Sequence, residues 1–336
     1  MKIVVGHLFP EYLNIYADRG NMAVLARRAA WRGHELEVRA LGPDDLVRPG
    51  EHDLYYVGGG QDREQELIAP ALAAMGPALA EAIEGGAAAL AVCGGYQLFG
   101  RFYRDQSGDE LTGAGLLPLH TVAGERRMIG DVLLECELEP GERRTLAGFE
   151  NHAGRTYLDD GAEPLGRVLA GFGNDGESGY EGCRAGRVVG TYLHGPLLPR
   201  NPWLADWLLA QALAHRTGGE PPVLESLDDE LESEAHGVSA ERARARGGWY
   251  CCSPPQPTCA AAARSRRPRG FHLASHHGCE AGRTCQVKGP TARRDRPPGL
   301  PASSVGGSAG SADAEPPRPA RRARRAGGRG RPRRGR

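Results

Sequence analysis

The stretch Ala88–Gly100 reads AALAVCGGYQLFG, and its only reactive side chain, Cys93, stands where an apolar run breaks on glycine. A thiol at the end of a buried strand, turned sharply into a helix, is the arrangement of a nucleophile elbow. The turn exposes the nucleophile and aims the next backbone N–H groups at a reacting carbonyl. Gly94 and Gly95 carry no Cβ, so backbone and substrate approach closely. A helix N-terminus behind the sulfur favours the thiolate. The competing reading is a structural cysteine on a core strand, since free cysteine is often buried. The glycine pair and Gln97 weigh against it.

A cysteine nucleophile needs a base. His194, in VVGTYLHGP, follows an apolar strand at the carboxyl edge where α/β sheets place their sites. His152, in GFENHAGRT, is the second candidate. Either histidine also fits a purely structural role.

The elements that must position these groups follow from the hydrophobic pattern. Lys2–Val5, Leu36–Leu41, Asp53–Val57 and Ala87–Val92 read as strands, the last apolar throughout, as expected when helices cover both faces. Tyr16–Arg32 reads as a helix with Met22, Leu25, Ala26 and Ala29 on one stripe. Glu64–Ile83 reads as a second, interrupted at Gly76-Pro77. This rhythm predicts an α/β fold with an open, mainly parallel sheet and helices on both faces. Additional strands are expected in the second half at Val132–Glu137, Leu146–Phe149, Arg167–Phe172 and Val188–Leu193. A helix over Asn201–His215 has Pro202 in its first turn, and Leu224–Ala245 is acidic and helical.

Charge divides the chain. Residues 249–336 hold 19 basic and 4 acidic side chains, against 23 and 38 in residues 1–248. The acidic body argues against nucleic acid as its partner. The expected organisation is a catalytic domain over 1–217, an acidic helical extension over 218–248 and a disordered Arg/Pro/Gly/Ala-rich tail over 249–336. The tail also reads as the product of a shifted frame in GC-rich DNA. Its Cys251, Cys252, Cys259, His272, His276, His277, Cys279 and Cys285 lack the paired spacing of zinc knuckles, so no metal site is expected. Cys93, Cys136 and Cys183 are too far apart for a disulfide framework, and neither a signal peptide nor a membrane-spanning run is expected; a cytoplasmic location follows. Lys2 and Lys288 are the only lysines, and neither lies in a Gly-Lys-Ser/Thr context, which excludes a P-loop.

Together, the VGGGQDREQ loop, CGGYQ and GTYLHGPLLPRNP resemble a class I glutamine amidotransferase of the cobyric-acid-synthase-like type. With LNIYADRGN and GFENHAGRTY, the chain over about residues 1–240 is similar, more narrowly, to the glutaminase subunits of lipid II isoglutaminyl synthases. The resemblance implies a flavodoxin-like domain that hydrolyses glutamine through a thioester on Cys93. His194 would be the base and the N–H groups of Gly94 and of the Gly59-Gly60 loop the oxyanion hole. Arg127 in RMIGD and Gln97 would bind substrate, with Arg126 as an alternative to Arg127. It further implies a heterodimer in which a Mur-ligase-like synthetase binds ATP and Mg and amidates the D-glutamate of lipid II to D-isoglutamine, with no cofactor in this chain.

The sequence departs from the broader class at Pro196, where many members carry a glutamate two residues after the histidine. The third catalytic group is then Asp18, Glu150 or an aspartate of the partner subunit. Ala91 replaces a glycine common in relatives but keeps the position small. Competing functions are an amidotransferase for a corrinoid precursor, a noncatalytic binding or regulatory subunit of the same fold, and another Cys-His hydrolase.

Overall fold

The computed structural model describes residues 1–15 and 19–246. Asp18 and every residue of the basic tail, with its cysteines and histidines, lie outside the described residues.

The chain opens with β1 (Lys2–Leu8), α1 (Arg19–Trp31), β2 (Glu35–Leu41), β3 (Leu54–Val57), α2 (Asp62–Glu84), β4 (Ala88–Val92) and a short α3 (Gly94–Phe99). Strands β5 (Phe102–Arg104), β6 (Glu110–Thr112), β7 (Leu119–Glu137), β8 (Arg143–Leu158), β9 (Gly166–Ala170), β10 (Tyr180–Glu181), β11 (Cys183–Ala185) and β12 (Val188–Thr191) follow. A 3-10 turn (Leu198–Arg200), α4 (Pro202–Thr217) and α5 (Glu230–Arg246) complete the described residues.

One sheet runs β11-β12-β4-β3-β1-β2. All of its neighbouring pairs are parallel except β11 with β12. In order of appearance the parallel strands lie 2-1-3-4-5, the flavodoxin-like arrangement, with the switch point between β1 and β3. Every residue of β3, β4 and β12 is buried. Helices α1 and α4 pack together on one face, and α2 and α3 on the other. The expected fold class is therefore the observed one.

The second sheet runs β10-β9-β7-β5-β6, with β8 paired to β7. Its backbone is a long antiparallel hairpin, β7 to β8, with a register shift between Ala123 and Met128. Sequence pattern predicted only two short strands here. Charged and exposed residues such as Glu125, Arg126 and Arg127 break the apolar run where one strand face meets solvent.

Two further expectations need correction. Helix α2 is continuous through Pro70, Gly76 and Pro77. Gly76 packs so closely on the loop after β6 that a Cβ there would lie 2.7 Å from the Ala114 carbonyl oxygen. Helix α2 also reaches membrane-spanning length, with a mean hydropathy of 1.4 over an 18-residue window, yet Ile68, Leu72 and Leu79 place its apolar face in the core.

The stripe of α1 includes one unexpected residue, the fully buried Arg28. Its guanidinium meets Asp206 of α4 at 2.6 and 2.7 Å and Asp229, just before α5, at 2.5 and 3.0 Å. Arg32 joins Asp206 and the Glu225 carbonyl. Helix α5 buries Ala240 and Ala243 against Leu133 and Ala147 of the hairpin. The segment from Glu225 through α5 is thus fastened to α1 and to the β7–β8 hairpin.

Candidate active site

Strand β4 delivers Cys93 into a conformation that L-residues seldom adopt, φ 50° and ψ −107°. Such backbone strain costs of order 1–3 kcal/mol and persists only where the surroundings enforce it. Here they do: the Cys93 N–H donates to the Thr191 carbonyl of β12 at 2.8 Å, and the Gln97 N–H closes the first turn of α3 on the Cys93 carbonyl. A Cβ on Gly95 would lie 2.7 Å from Val57 Cγ1 and 2.8 Å from the Gly58 oxygen. Only glycine lets the elbow seat against the end of β3.

The Gly58–Gly60 loop lies on top of the elbow. A Cβ on Gly94 would approach the Gly60 nitrogen to 3.0 Å. A Cβ on Gly59 would stand 2.8 Å from His194 Cε1 and 3.3 Å from Cys93 Cβ. Gly59 therefore packs against both Cys93 and His194. His194 is fully buried and forms an isolated antiparallel bridge with Phe149 of β8.

Cys93 opens into a cavity of about 570 Å³ that Gly60, Gln97, Arg127, Asn151 and His152 also line, a size usual for small-molecule sites. A larger cleft of about 830 Å³ between the hairpin, α4 and the segment before α5 is not lined by Cys93; the thiol faces the smaller one. Arg127 enters the cavity from the irregular part of β7. Asn151 holds it, taking Nε at 3.0 Å on its side-chain oxygen and a terminal nitrogen at 3.1 Å on its carbonyl. Arg126 instead offers its carbonyl to Arg155, and the cavity lining includes Arg127 and not Arg126.

Gln97 lies at the wall, and its amide donates to the Tyr192 hydroxyl at 3.1 Å. That hydroxyl also pairs with Thr156 at 2.6 Å. His152 stacks flat on the Tyr192 ring, with centroids 3.5 Å apart, and its Nδ1 meets the Gly154 carbonyl at 2.8 Å. Burial pushes the His152 pKa below its ordinary value, although Glu150, 3.6 Å away, favours the cation. The Glu150 carboxylate accepts the N–H groups of Phe172 and Gly173 at 2.6 and 2.9 Å. Pro196 packs over Gly20 at the start of α1, where a Cβ would approach its ring to 2.7 Å.

Of the residues expected at the site, Cys93, Gly60, Gln97 and Arg127 line one cavity, whereas Gly59, Gly94 and the fully buried His194 pack against this group without lining it. Sequence reasoning missed Asn151 and Tyr192. Both lie inside motifs that the sequence singles out, GFENHAGRT and VVGTYLHGP, but their partners come from other elements.

An elbow cysteine beside a histidine at the carboxyl edge of a flavodoxin-like sheet defines a class of amide-hydrolysing enzymes. The profile of the CobB/CobQ-like glutamine amidotransferase domain matches residues 4–202, and the chain belongs to that family: it is a glutamine-hydrolysing amidotransferase. It is 38% identical over 242 residues to the lipid II isoglutaminyl synthase (glutamine-hydrolyzing) subunit GatD of Staphylococcus aureus strain N315, covering 72% of this chain and 96% of that one. The GatD subunit of Streptococcus pneumoniae R6 is 35% identical over 244 residues, covering 71% and 93%. A cobyric acid synthase of Synechococcus sp. CC9605 is 34% identical over 182 residues, covering 52% of this chain but 34% of that enzyme.

Proposed function

We propose that this chain is the glutaminase half of a lipid II isoglutaminyl synthase, with Cys93 as nucleophile and His194 as base. The Cys93 sulfur attacks the side-chain carbonyl carbon of L-glutamine while His194 takes the thiol proton. The carbonyl electron pair moves onto oxygen, which the N–H groups of Gly94 and of Gly59 or Gly60 stabilise. His194 returns the proton to nitrogen, the C–N bond breaks, and ammonia leaves a γ-glutamyl thioester. Water, deprotonated by His194, then displaces the sulfur and releases glutamate. Arg127 receives the substrate α-carboxylate in a charge-assisted pair, and Gln97 forms the opposing wall. The observation that carries this reading is that Gly59 packs against both Cys93 and His194, which brings the two residues together beside the cavity that Cys93 and Arg127 line.

Ammonia in neutral water is mostly ammonium, which is not a nucleophile, so a synthesis must receive it through a sheltered path. The partner is a Mur-ligase-like synthetase that binds ATP and Mg, activates the D-glutamate carboxyl of lipid II and takes up the ammonia. An acidic group from that partner completes the site where this chain has Pro196. The free thiols Cys93, Cys136 and Cys183 suit a cytoplasmic location. The length match to GatD subunits favours this reading over corrinoid amidation, because the chain spans about a third of the cobyric acid synthase, 34% of its length.

The test is ammonia release from glutamine by the wild type and by Cys93→Ser, with and without the synthetase, ATP and lipid II. Release that requires Cys93 and rises with the partner supports the assignment. A folded, partner-bound chain that releases none overturns it.

A further inference from the structure

Glu181 is an acid with no place in the chemistry above, yet it is fully buried beneath the strand that delivers His194. It ends β10, and its carboxyl group reaches the point where β12 stops. One oxygen accepts the Tyr192 N–H at 2.6 Å, and the Thr191 hydroxyl lies 3.1 and 3.0 Å from the two oxygens. Tyr192 is the first residue past β12, so its N–H has left the strand ladder and needs another acceptor. The Thr191 hydroxyl in turn accepts the Leu193 N–H at 3.1 Å. The chain from Thr191 to Leu193 is therefore shaped by one side chain before it re-enters a bridge at His194.

The same short segment governs the nucleophile. The Thr191 carbonyl accepts the Cys93 N–H, and the Tyr192 hydroxyl binds Gln97 on the elbow helix. We propose that Glu181 is a positioning residue for the reaction, holding Thr191 and Tyr192 so that Cys93 and His194 keep their mutual geometry. The inference rests on the reading of Cys93 and His194 as the catalytic pair.

The donors Glu181 meets in Thr191 and Tyr192 are neutral. Burial pushes its pKa up to about 8, the Tyr192 and Thr191 bonds oppose this, and the Glu150 charge adds to it. Tyr96 and Tyr192 of the adjoining elements, and the thiols of Cys136 and Cys183, are themselves raised by burial, so none of these neighbours supplies a cation. The carboxyl group consequently ionises at the alkaline end of the working range, which places a charge under the strand that carries His194.

The test uses the full chain with its synthetase partner and reads kcat and KM for glutamine between pH 6 and 9. It adds the rate of iodoacetamide labelling of the Cys93 peptide by mass spectrometry. Glu181→Ala is expected to lower kcat at least tenfold with KM within twofold, and Thr191→Val to follow it. Glu181→Gln keeps an acceptor for Tyr192, so it is expected to restore kcat at pH 7 and to remove the decline in kcat/KM expected of the wild type above pH 8. Should Glu181→Ala fail to fold, the pH profile of Glu181→Gln decides. Wild-type kinetics in Glu181→Ala, or an unchanged alkaline decline in Glu181→Gln, overturns the proposal. Activity surviving in Cys93→Ser would instead overturn the catalytic reading beneath it.

Discussion

The backbones of Phe149 and His194 exchange two hydrogen bonds, 2.8 Å from the His194 N–H and 3.3 Å from the Phe149 N–H. Phe149 belongs to the antiparallel sheet, whereas His194 follows the last strand of the parallel one. His194 is therefore held by the part of the molecule that the basic flavodoxin-like sheet does not contain. Gly148, next to Phe149, packs so tightly that a Cβ would meet Leu193 at 2.9 Å. Gly148→Val is expected to push Leu193 and His194 away from the elbow and to abolish ammonia release while α1 to α4 stay folded by circular dichroism.

The strain at Cys93 has a measurable stability signature. Glycine tolerates φ near 50° without a Cβ clash, whereas alanine does not. Both Cys93→Gly and Cys93→Ala should lack glutaminase activity. Cys93→Gly should be the more stable of the two by about 1 kcal/mol in urea unfolding. Equal stabilities would mean that the turn relaxes without its side chain.

Gly59→Ala should cost activity far more than stability. The added methyl carbon would press on His194 Cε1 at 2.8 Å and on Cys93 Cβ at 3.3 Å. A fall in kcat of at least tenfold is expected, about 1.4 kcal/mol in barrier. Gly33→Ala is the control for a glycine at φ 73° with open space around it: it should lose some stability and keep kcat.

Arg127→Ala should act on KM. Losing a charge-assisted bond to the substrate carboxylate removes roughly 1.5–3 kcal/mol, a tenfold to hundredfold rise in KM. Asn151→Ala should show a smaller rise, because it frees the guanidinium without removing it. A change confined to kcat in both variants would take Arg127 out of substrate binding.

Glu181 makes stability depend on pH. Its folded pKa of about 8 lies above the ordinary 4.5, so between these values the folded state binds a proton that the unfolded state has released. Stability from this group is complete below pH 4.5, falls as pH rises, and levels off above 8. Glu181→Gln should remove one proton's worth of slope from denaturation midpoints across that window. An identical slope in both proteins would mean that Glu181 is ionised in the fold.

The parallel sheet was legible because its strands are buried on both faces and read as unbroken apolar runs, as in Ala88–Val92. The elbow was legible because glycine has few substitutes there. The long hairpin was not, since Arg126 and Arg127 resemble loop residues until the register with Asn151 and His152 is known. Glu181 and Arg28 were invisible for a related reason. A buried charge looks like any surface charge in sequence, and its partners, Tyr192 for one and Asp206 and Asp229 for the other, come from distant segments. Gln97 and Arg127 were picked out by family resemblance; their supports, Tyr192 and Asn151, needed the fold.

The insertion of β12 beside β4 also sets a timetable. On a ribosome the elbow emerges well before His194, and at roughly 5–20 residues per second the interval between them lasts about 5–20 s. During that time the thiol has neither the Thr191 carbonyl nor the imidazole beside it, and Arg28 still awaits Asp206 and Asp229. A nascent or truncated chain therefore carries an unarmed cysteine. With Cys93 and His194 as the proposed pair, glutamine is safe from it until the chain has been made through Asp229 and α4 has folded back onto α1.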